Sequence, residues 1–252
     1  MPSPTRSSPG TSLAGEHVVK EKILVIGHSH MNALAAVDGA AADFDFVSFP
    51  VAEKAYQRRD PDEFKTLAAA DHAAVVFMLG GSTHVNLGML NPPEDPFDFY
   101  LPQEGHVPFN RQARLLPVDL VMCLLKRHLK EFCDYQSELA ILFTGHRLFH
   151  VESPPPCPAE LIMKHPGGFA ERLRERGLAP TAHRYKFWRL QSKAMREYCA
   201  ACDMHYVSVP PDTQDADGCL AAPYLREDPT HANSAYGLLV LEQLRALSTR
   251  VS

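Results

Sequence analysis

Three polar side chains of the sequence have the types that nucleophilic catalysis uses. Ser29 follows the apolar run 23–26 and Gly27, whereas Asp228 and His231 stand three residues apart before the last apolar segment of the chain. A serine hydroxyl becomes a strong nucleophile when a base takes its proton, and that base is normally a histidine that a carboxylate holds in one tautomer. If the turn between Asp228 and His231 is tight, the carboxylate can accept a hydrogen bond from Nδ1 and leave Nε2 to face Ser29. The residue types therefore predict acyl-transfer chemistry, provided that the fold brings the two ends of the chain together.

Each part of this pattern also has a simpler, local interpretation. A serine that follows a strand and a glycine often caps a helix, and Ser29 precedes a helix-like segment. Asp228 and His231, three residues apart in front of a helix, are likewise typical of a cap. The two interpretations differ in one respect: only the catalytic one requires Ser29 to meet His231.

The elements that would position these residues follow from the hydrophobic pattern. Five short apolar segments are typical of buried strands, and they are residues 23–26, 44–49, 73–79, 139–144 and 204–209. Segments with helical patterns alternate with them, at residues 31–42, 60–71, 116–132, 169–176 and 185–202 and after His231, where Leu238, Leu241, Leu244 and Leu247 form a stripe. We interpret the basic residues of 185–202 as a solvated helix face. The alternation predicts one parallel α/β sheet with right-handed crossovers, and ligands of such sheets bind at the carboxyl ends of the strands.

Length and local composition suggest how the chain is organised. Its 252 residues suffice for one large α/β domain, which we assign to residues 18–252. Residues 1–17 are rich in Ser, Pro and Gly, so we predict a disordered tail there. Residues 82–116 and 146–182 lack a clear period and are predicted to be loop insertions at the active edge of the sheet.

The composition also argues against several classes of partner. The formal net charge is −5 and no basic patch dominates, which argues against nucleic acid. No apolar run approaches the ~18 residues of a membrane span, and no export signal is recognisable, so we expect a cytoplasmic protein. We expect the six cysteines to be reduced, and Cys199 and Cys202 to serve as small apolar packing groups.

Phosphate-binding loops of the G-x-G-x-x-G and P-loop types do not occur in the sequence, which argues against a nucleotide-binding domain.

Three motifs in a fixed order resemble the SGNH/GDSL hydrolase superfamily. They are Gly27-His28-Ser29 after the first predicted strand, Gly80-Gly81-Ser82 after the third, and Asp228-Pro229-Thr230-His231 near the end of the chain. The resemblance covers residues 22–247. It implies a three-layer α/β/α fold with a five-stranded parallel sheet, similar to flavodoxin. It further implies Ser29 as nucleophile, His231 as base and Asp228 as orienting acid, with no metal ion and no organic cofactor.

The chain departs from the family pattern at the groups that surround the serine. His28 stands where the family usually has an aspartate, and it could hydrogen-bond or carry charge near Ser29. A counterpart of the glycine that donates an amide to the oxyanion is not clear after residue 49. The asparagine of the third family motif falls on Ser82, next to Gly81, and a hydroxyl could still donate to the oxyanion. His84 and Asn86 are the alternatives for that role.

The sequence therefore predicts a serine-dependent ester hydrolase of the esterase or acetylhydrolase type, or an acyltransferase, that forms an acyl-Ser29 intermediate. The substrate would be a small-molecule, carbohydrate or lipid ester, and the sequence does not indicate an oligomeric state. One alternative is a catalytically silent SGNH-like protein that binds an acylated ligand or a partner protein. A second is a metal-dependent hydrolase that uses His28 and His30, with further histidines available at His84, His146, His150 and His231.

Overall fold

The computed structural model describes residues 21–49, 51–52, 55–56, 59–92, 95–105 and 107–248. Its strands are β1 (Ile23–Gly27), β2 (Phe44–Ser48), β3 (Val51–Ala52), β4 (Ala55–Tyr56), β5 (Ala74–Met78), β6 (Phe97–Asp98), β7 (Arg114–Leu115), β8 (Leu148–Val151) and β9 (His205–Val207). Its α-helices are α1 (Asn32–Ala35), α2 (Lys65–Ala68), α3 (Thr83–Gly88), α4 (Val118–Leu142), α5 (Ala159–Lys164), α6 (Ala170–Arg176), α7 (Thr181–Ala201) and α8 (Ser234–Ser248). The predicted tail, residues 1–17, lies outside the described residues.

The main sheet is parallel throughout and has five strands in the order β2-β1-β5-β8-β9. The central strand pairs align Gly27 of β1 with Met78 of β5. Because the strands are parallel, the segments that follow β1 and β5 leave the sheet at the same edge, which carries both Ser29 and Ser82. The predicted architecture, a five-stranded parallel sheet between two helical layers, is confirmed.

The two faces of the sheet follow the two-residue period of its strands. Ile23 and Val25 of β1 pack in one cluster with residues of α1 and α8, whereas Leu24 and Ile26 pack in the other with residues of α4. Both faces of the central strands are thus covered, which explains their continuous apolar sequences.

The fourth predicted strand is wrong. Residues 139–142 are the end of α4, and the fourth strand of the sheet is β8. Leu139 and Phe143 are both fully buried, while Ile141 between them is 73% exposed. Burial four residues apart is the helical period, so this apolar run continues the buried face of α4 that Leu125 and Leu129 begin.

Several helix boundaries and faces also differ from the predictions. The segment predicted as a helix over 31–42 contains only the short α1 and a 3₁₀ turn, and Gly39 lies between them with a φ of 76°. In α8 the buried side chains include Tyr236, Val240 and Leu244, whereas Leu238 is exposed. The expected solvated face of α7 is wrong for Lys186, which is buried and forms an ion pair with Asp98.

The two irregular stretches contain more structure than the sequence predicted. Residues 82–116 include α3 and the short parallel pair β6 and β7. The second insertion begins later than expected, because β8 occupies residues 148–151 and only then do α5 and α6 follow.

The cysteines of the chain are free thiols. Cys199 is buried in the cluster beneath α4, and burial raises its pKa to about 12, in agreement with a packing role. Across the described ranges, we find no helix with the length and apolarity that crossing a membrane requires.

Candidate active site

Ser29 lies two residues beyond the carboxyl end of β1. A one-turn 3₁₀ helix, Ser29–Met31, begins immediately after β1 and His28. The turn approaches β5 closely, since a Cβ atom on Gly27 would lie 2.8 Å from Cβ of Met78. Gly27 is therefore required by the close approach of the two strands. The Ser29 hydroxyl contacts His231, so its observed role differs from that of a helix cap.

Asp228 organises the turn that presents His231. Its Oδ1 accepts hydrogen bonds from the backbone N–H groups of Thr230 (2.8 Å) and His231 (2.7 Å). The N-terminus of α8 is capped separately by Asn233, whose Oδ1 accepts from the backbone N–H groups of Ala235 (2.9 Å) and Tyr236 (3.2 Å). The carboxylate thus fixes the backbone of the turn and is not needed to cap the helix.

Ser29, His231 and Asp228 form a continuous chain of hydrogen bonds. Ser29 Oγ lies 2.7 Å from His231 Nε2, and His231 Nδ1 lies 3.0 and 3.1 Å from Oδ1 and Oδ2 of Asp228. Because an ionised carboxylate only accepts hydrogen bonds, Nδ1 of His231 carries the proton and Nε2 accepts from the serine. This is the arrangement in which a histidine can remove the proton of a serine hydroxyl.

The electrostatics of Asp228 favour its ionised form. Burial alone would raise the pKa of this carboxyl, but the hydrogen bonds from the His231 ring and from the N–H of Thr230 outweigh burial and hold the pKa well below its ordinary value. Arg226 adds a salt bridge at 3.4 Å to Oδ2, through a side chain that is 56% exposed. Asp228 is therefore a carboxylate at neutral pH and can stabilise the positive charge that His231 acquires when it takes a proton.

The third motif lies beside this chain of hydrogen bonds. Ser82 is the residue that precedes α3, and its Oγ lies 3.1 Å from Nε2 of His30. The ring of His30 lies 5.0 Å from that of His231, measured between centroids. His30 therefore lies next to both Ser82 and the ring of His231, an arrangement that the sequence analysis did not predict. In the sequence, the one indication that His30 belongs to the site is its place in the polar triplet His28-Ser29-His30.

The side chain of Gln191, on α7, forms hydrogen bonds with the third motif and with residues beside it. Its Nε2 donates to the carbonyl oxygen of Gly81 (3.2 Å) and to Oγ of Ser153 (2.9 Å), and its Oε1 accepts from the backbone N–H of His84 (2.6 Å). Gln191 is buried, so these hydrogen bonds fix the turn between β5 and α3. Sequence reasoning missed Gln191, which is one polar residue on the inner face of a long helix.

The other residues predicted near the oxyanion occupy different places. His28 is buried, and its ring packs edge-on against Phe49 and Phe132, with centroids 5.4 and 5.6 Å away. His84 is buried and lines a small cavity with Pro229 of the aspartate–histidine turn. Asn86 is an exposed residue of α3, and the contacts found among the described residues do not link its side chain to Ser29. Burial lowers the pKa of both His28 and His84 to about 4, so both are neutral at pH 7.

The histidines of the metal-site alternative make separate contacts and do not form a group of metal ligands among the described residues. His150 lies in the core beside Gln136, at 3.1 Å, and His146 faces the carbonyl oxygen of Ala70 at 3.4 Å. His28 packs on phenylalanine rings while His30 contacts Ser82. In the part of the chain that the structure describes, we find no group of three or more His, Cys, Asp or Glu side chains that could hold a metal ion.

Comparison with known proteins gave matches among solved structures. No protein-family model matches the chain, and the search of curated proteins gave no significant match. The similar structures include a GDSL-like lipase from Bacteroides thetaiotaomicron, with a TM-score of 0.42, 10% identity, and coverage of 91% of this chain and 87% of that one. The aryl esterase of M. smegmatis has a TM-score of 0.43 and 12% identity, over 90% of this chain and 99% of that one.

A third similar structure is the periplasmic domain of the lipopolysaccharide acetyltransferase of Salmonella ser. Paratyphi A, with a TM-score of 0.47, 12% identity, and coverage of 90% of this chain and 83% of that one. All three structures have TM-scores below 0.5 against this chain and identities of 10–12%, so they carry no conclusion about its chemistry.

Proposed function

We propose that the protein is a serine-dependent ester hydrolase or acyltransferase that works through an acyl-Ser29 intermediate. The observation that carries this proposal is the pair of contacts on either side of one imidazole ring: Nε2 to Ser29 Oγ at 2.7 Å and Nδ1 to the carboxylate of Asp228 at 3.0 Å. The two contacts assign complementary roles to the two ring nitrogens, which a local helix cap does not require.

In the first half of the proposed reaction, Ser29 becomes acylated. The hydroxyl proton moves to His231 Nε2 while Oγ forms a bond to the carbonyl carbon of the ester. The carbonyl electron pair moves onto the carbonyl oxygen, which becomes an oxyanion, and returns as the bond to the leaving alcohol breaks. His231 gives its proton to that alcohol, so the base is regenerated and the acyl group stays on Ser29.

In the second half, a water molecule or an acceptor alcohol attacks the acyl-Ser29 carbonyl and gives its proton to His231. The proton then passes from Nε2 to Ser29 Oγ as the acyl bond breaks. Water yields a carboxylic acid, which is hydrolysis, whereas an alcohol yields a new ester, which is acyl transfer. Asp228 holds the ring orientation in both halves and stabilises its protonated form.

A fluorophosphonate probe tests the proposal directly, because it forms a covalent bond with activated serines. We expect the wild type to be labelled and to release nitrophenol from nitrophenyl esters, and both activities to be lost in Ser29→Ala and in His231→Ala. Ser208→Ala is the matched control, since Ser208 is an exposed serine directly after β9 at the same edge of the sheet, and this variant should behave as wild type.

The same experiment decides between the alternatives. Labelling that persists in Ser29→Ala, or turnover that persists in His231→Ala, would contradict the mechanism. A folded wild type without labelling or turnover would favour the catalytically silent, ligand-binding alternative. Addition of a primary alcohol to the nitrophenyl ester assay separates the two activities, because a transferase converts part of the acyl group into a new ester.

A further inference from the structure

We propose that His30 is a positioning residue that makes Ser82 a hydrogen-bond donor to the oxyanion. In this arrangement Nε2–H of His30 donates to Ser82 Oγ, so that the hydroxyl proton of Ser82 points away from His30 and towards the reacting carbonyl oxygen. The inference rests on the proposed function, since an oxyanion forms only if Ser29 attacks an ester.

The contact between His30 and Ser82 is built into the fold. His30 is 4% exposed and its Nε2 lies 3.1 Å from Ser82 Oγ. Gly81 makes room for the ring, because a Cβ atom at that position would lie 2.6 Å from Cδ2 of His30. The ring is therefore enclosed between the turn that follows β5 and the turn that follows β1, with its Nε2 directed at one hydroxyl.

The second ring nitrogen determines which group donates. Nδ1 of His30 is buried and has no hydrogen-bond partner among the described residues. A neutral imidazole carries one proton, and a buried N–H group without an acceptor is rarer in proteins than an unsatisfied acceptor. The proton is therefore expected on Nε2, where it meets Ser82 Oγ, and the serine accepts this hydrogen bond.

His30 also has to stay neutral while His231 becomes charged. Burial lowers the pKa of His30 well below its ordinary value, and the neighbouring His231 lowers it further. The two rings lie 5.0 Å apart, so a proton on His30 would oppose the imidazolium that forms on His231. A neutral His30 can orient Ser82 without raising the free energy of the charged base.

Ser82 is suitably located for the role. It follows β5 and Ser29 follows β1, and these strands are neighbours in the sheet, with Gly27 paired to Met78. A hydroxyl whose proton is not used by His30 can donate to an oxygen that becomes negatively charged only in the transition state. Such a donor affects kcat more than KM.

Four variants test this arrangement through steady-state kinetics on a nitrophenyl ester. Ser82→Ala should lower kcat by ~10²–10³, the usual effect of losing one oxyanion donor, with little change in KM. His30→Leu should lower kcat by at least ~10-fold for the same reason, because Ser82 then loses its orienting partner. His30→Gln should recover most of the activity, since its amide N–H can replace Nε2–H. The double variant His30→Leu/Ser82→Ala should match Ser82→Ala within about threefold, because His30 acts only through Ser82.

The tautomer of His30 provides a measurement that needs no substrate. Imidazole ¹⁵N chemical shifts of the free protein at pH 7 should show the His30 proton on Nε2, and melting temperatures should show that the variants are folded. A proton on Nδ1, wild-type kcat in His30→Leu, or an undiminished effect of His30→Leu in the Ser82→Ala background would each overturn the inference. A wild type with neither turnover nor probe labelling would instead overturn the proposed function and the oxyanion role with it. The tautomer distinguishes that failure from the failure of the His30–Ser82 hydrogen bond.

Discussion

Ser29 Oγ lies 2.7 Å from His231 Nε2, although 202 residues separate the two in the sequence. The parallel sheet makes this contact possible, because β1 is an interior strand and the turn before α8 returns to its carboxyl end. Helix α8 then packs with β1 and α1 in one cluster. Conversely, the burial of α8 fixes the turn that presents His231, so the stability of this layer and the geometry of the site are linked.

Replacement of Asp228 by asparagine should lower kcat strongly while the protein stays folded. The new side chain would be neutral and would present an amide N–H to the ring of His231, which favours the tautomer with the proton on Nε2. That tautomer cannot accept the Ser29 proton. The comparable change in a serine protease costs ~10⁴ in kcat, and we expect a loss of this order. Steady-state kinetics of Asp228→Asn on a nitrophenyl ester would measure it.

Arg226→Gln is the matched control for Asp228. It removes the exposed salt bridge to the same carboxylate and leaves the contact with His231 intact. Exposed ion pairs contribute little free energy, so the rate should change by no more than about fivefold. A loss in Arg226→Gln as large as that in Asp228→Asn would contradict the role given to the His231–Asp228 contact.

The sequence predicted a five-stranded parallel sheet and a contact between Ser29 and His231, but it misplaced the fourth strand and did not predict the surroundings of that contact. The strands after which Ser29 and Ser82 stand are apolar runs bounded by glycine, and such runs have few alternatives. The apolar run 139–144 predicts a strand and instead continues α4, because a short apolar run fits a strand or a buried helix turn equally well. His30 meets Ser82 over 52 residues and Gln191 meets Gly81 over 110, and such contacts depend on tertiary packing that no local pattern encodes.

Gly81→Ala should reduce activity more than stability. Its Cβ would meet the His30 ring at 2.6 Å and Ser153 Oγ at 3.3 Å, so the ring has to move away from Ser82. We expect kcat to fall by at least ~10-fold, because an oxyanion donor is misplaced. Gly168→Ala is the control: a Cβ at Gly168 has no neighbour within 4 Å, and kcat should stay at the wild-type value. Equal kinetics for the two variants would show that the position of His30 does not affect the rate.

Asp98→Asn should destabilise the attachment of the first insertion to α7. Asp98 accepts from Lys186 Nζ at 2.5 Å and from the backbone N–H of Asn110 at 2.8 Å, and both charged side chains are buried. Removal of one member of a buried ion pair leaves the other uncompensated, at a cost of about 3–5 kcal/mol. Urea unfolding of Asp98→Asn should show this loss.

The contribution of Asp98 also has a defined pH dependence. Burial would raise the pKa of Asp98, but hydrogen bonds from His183, Asn110 and Lys186 hold it well below the ordinary value. Because the folded-state pKa is the lower one, this stabilisation is complete above the unfolded value of ~3.9 and is lost as the pH falls below it. Asp134→Asn, which breaks the exposed pair with Lys130, is the control and should leave unfolding nearly unchanged. An equal loss in both variants would rule out a special role for the buried pair.

Buried neutral histidines should make the protein sensitive to mild acid. Burial lowers the pKa of His28, His84 and His150 to about 4, whereas an unfolded histidine has a pKa of ~6.5. Between these values the unfolded state binds more protons, so the free energy of unfolding is greatest above pH 6.5 and falls as the pH drops towards 4. Each such histidine contributes about 1.4 kcal/mol per pH unit to the slope of the free energy of unfolding against pH within that window.

Urea unfolding of His150→Gln at pH 5, 5.5 and 6 should therefore show a shallower slope than wild type, whatever the absolute stability of the variant. Replacement of the exposed His128 by Gln is the control, for which we expect the wild-type slope, and an unchanged slope in His150→Gln would mean that His150 is charged in the folded protein.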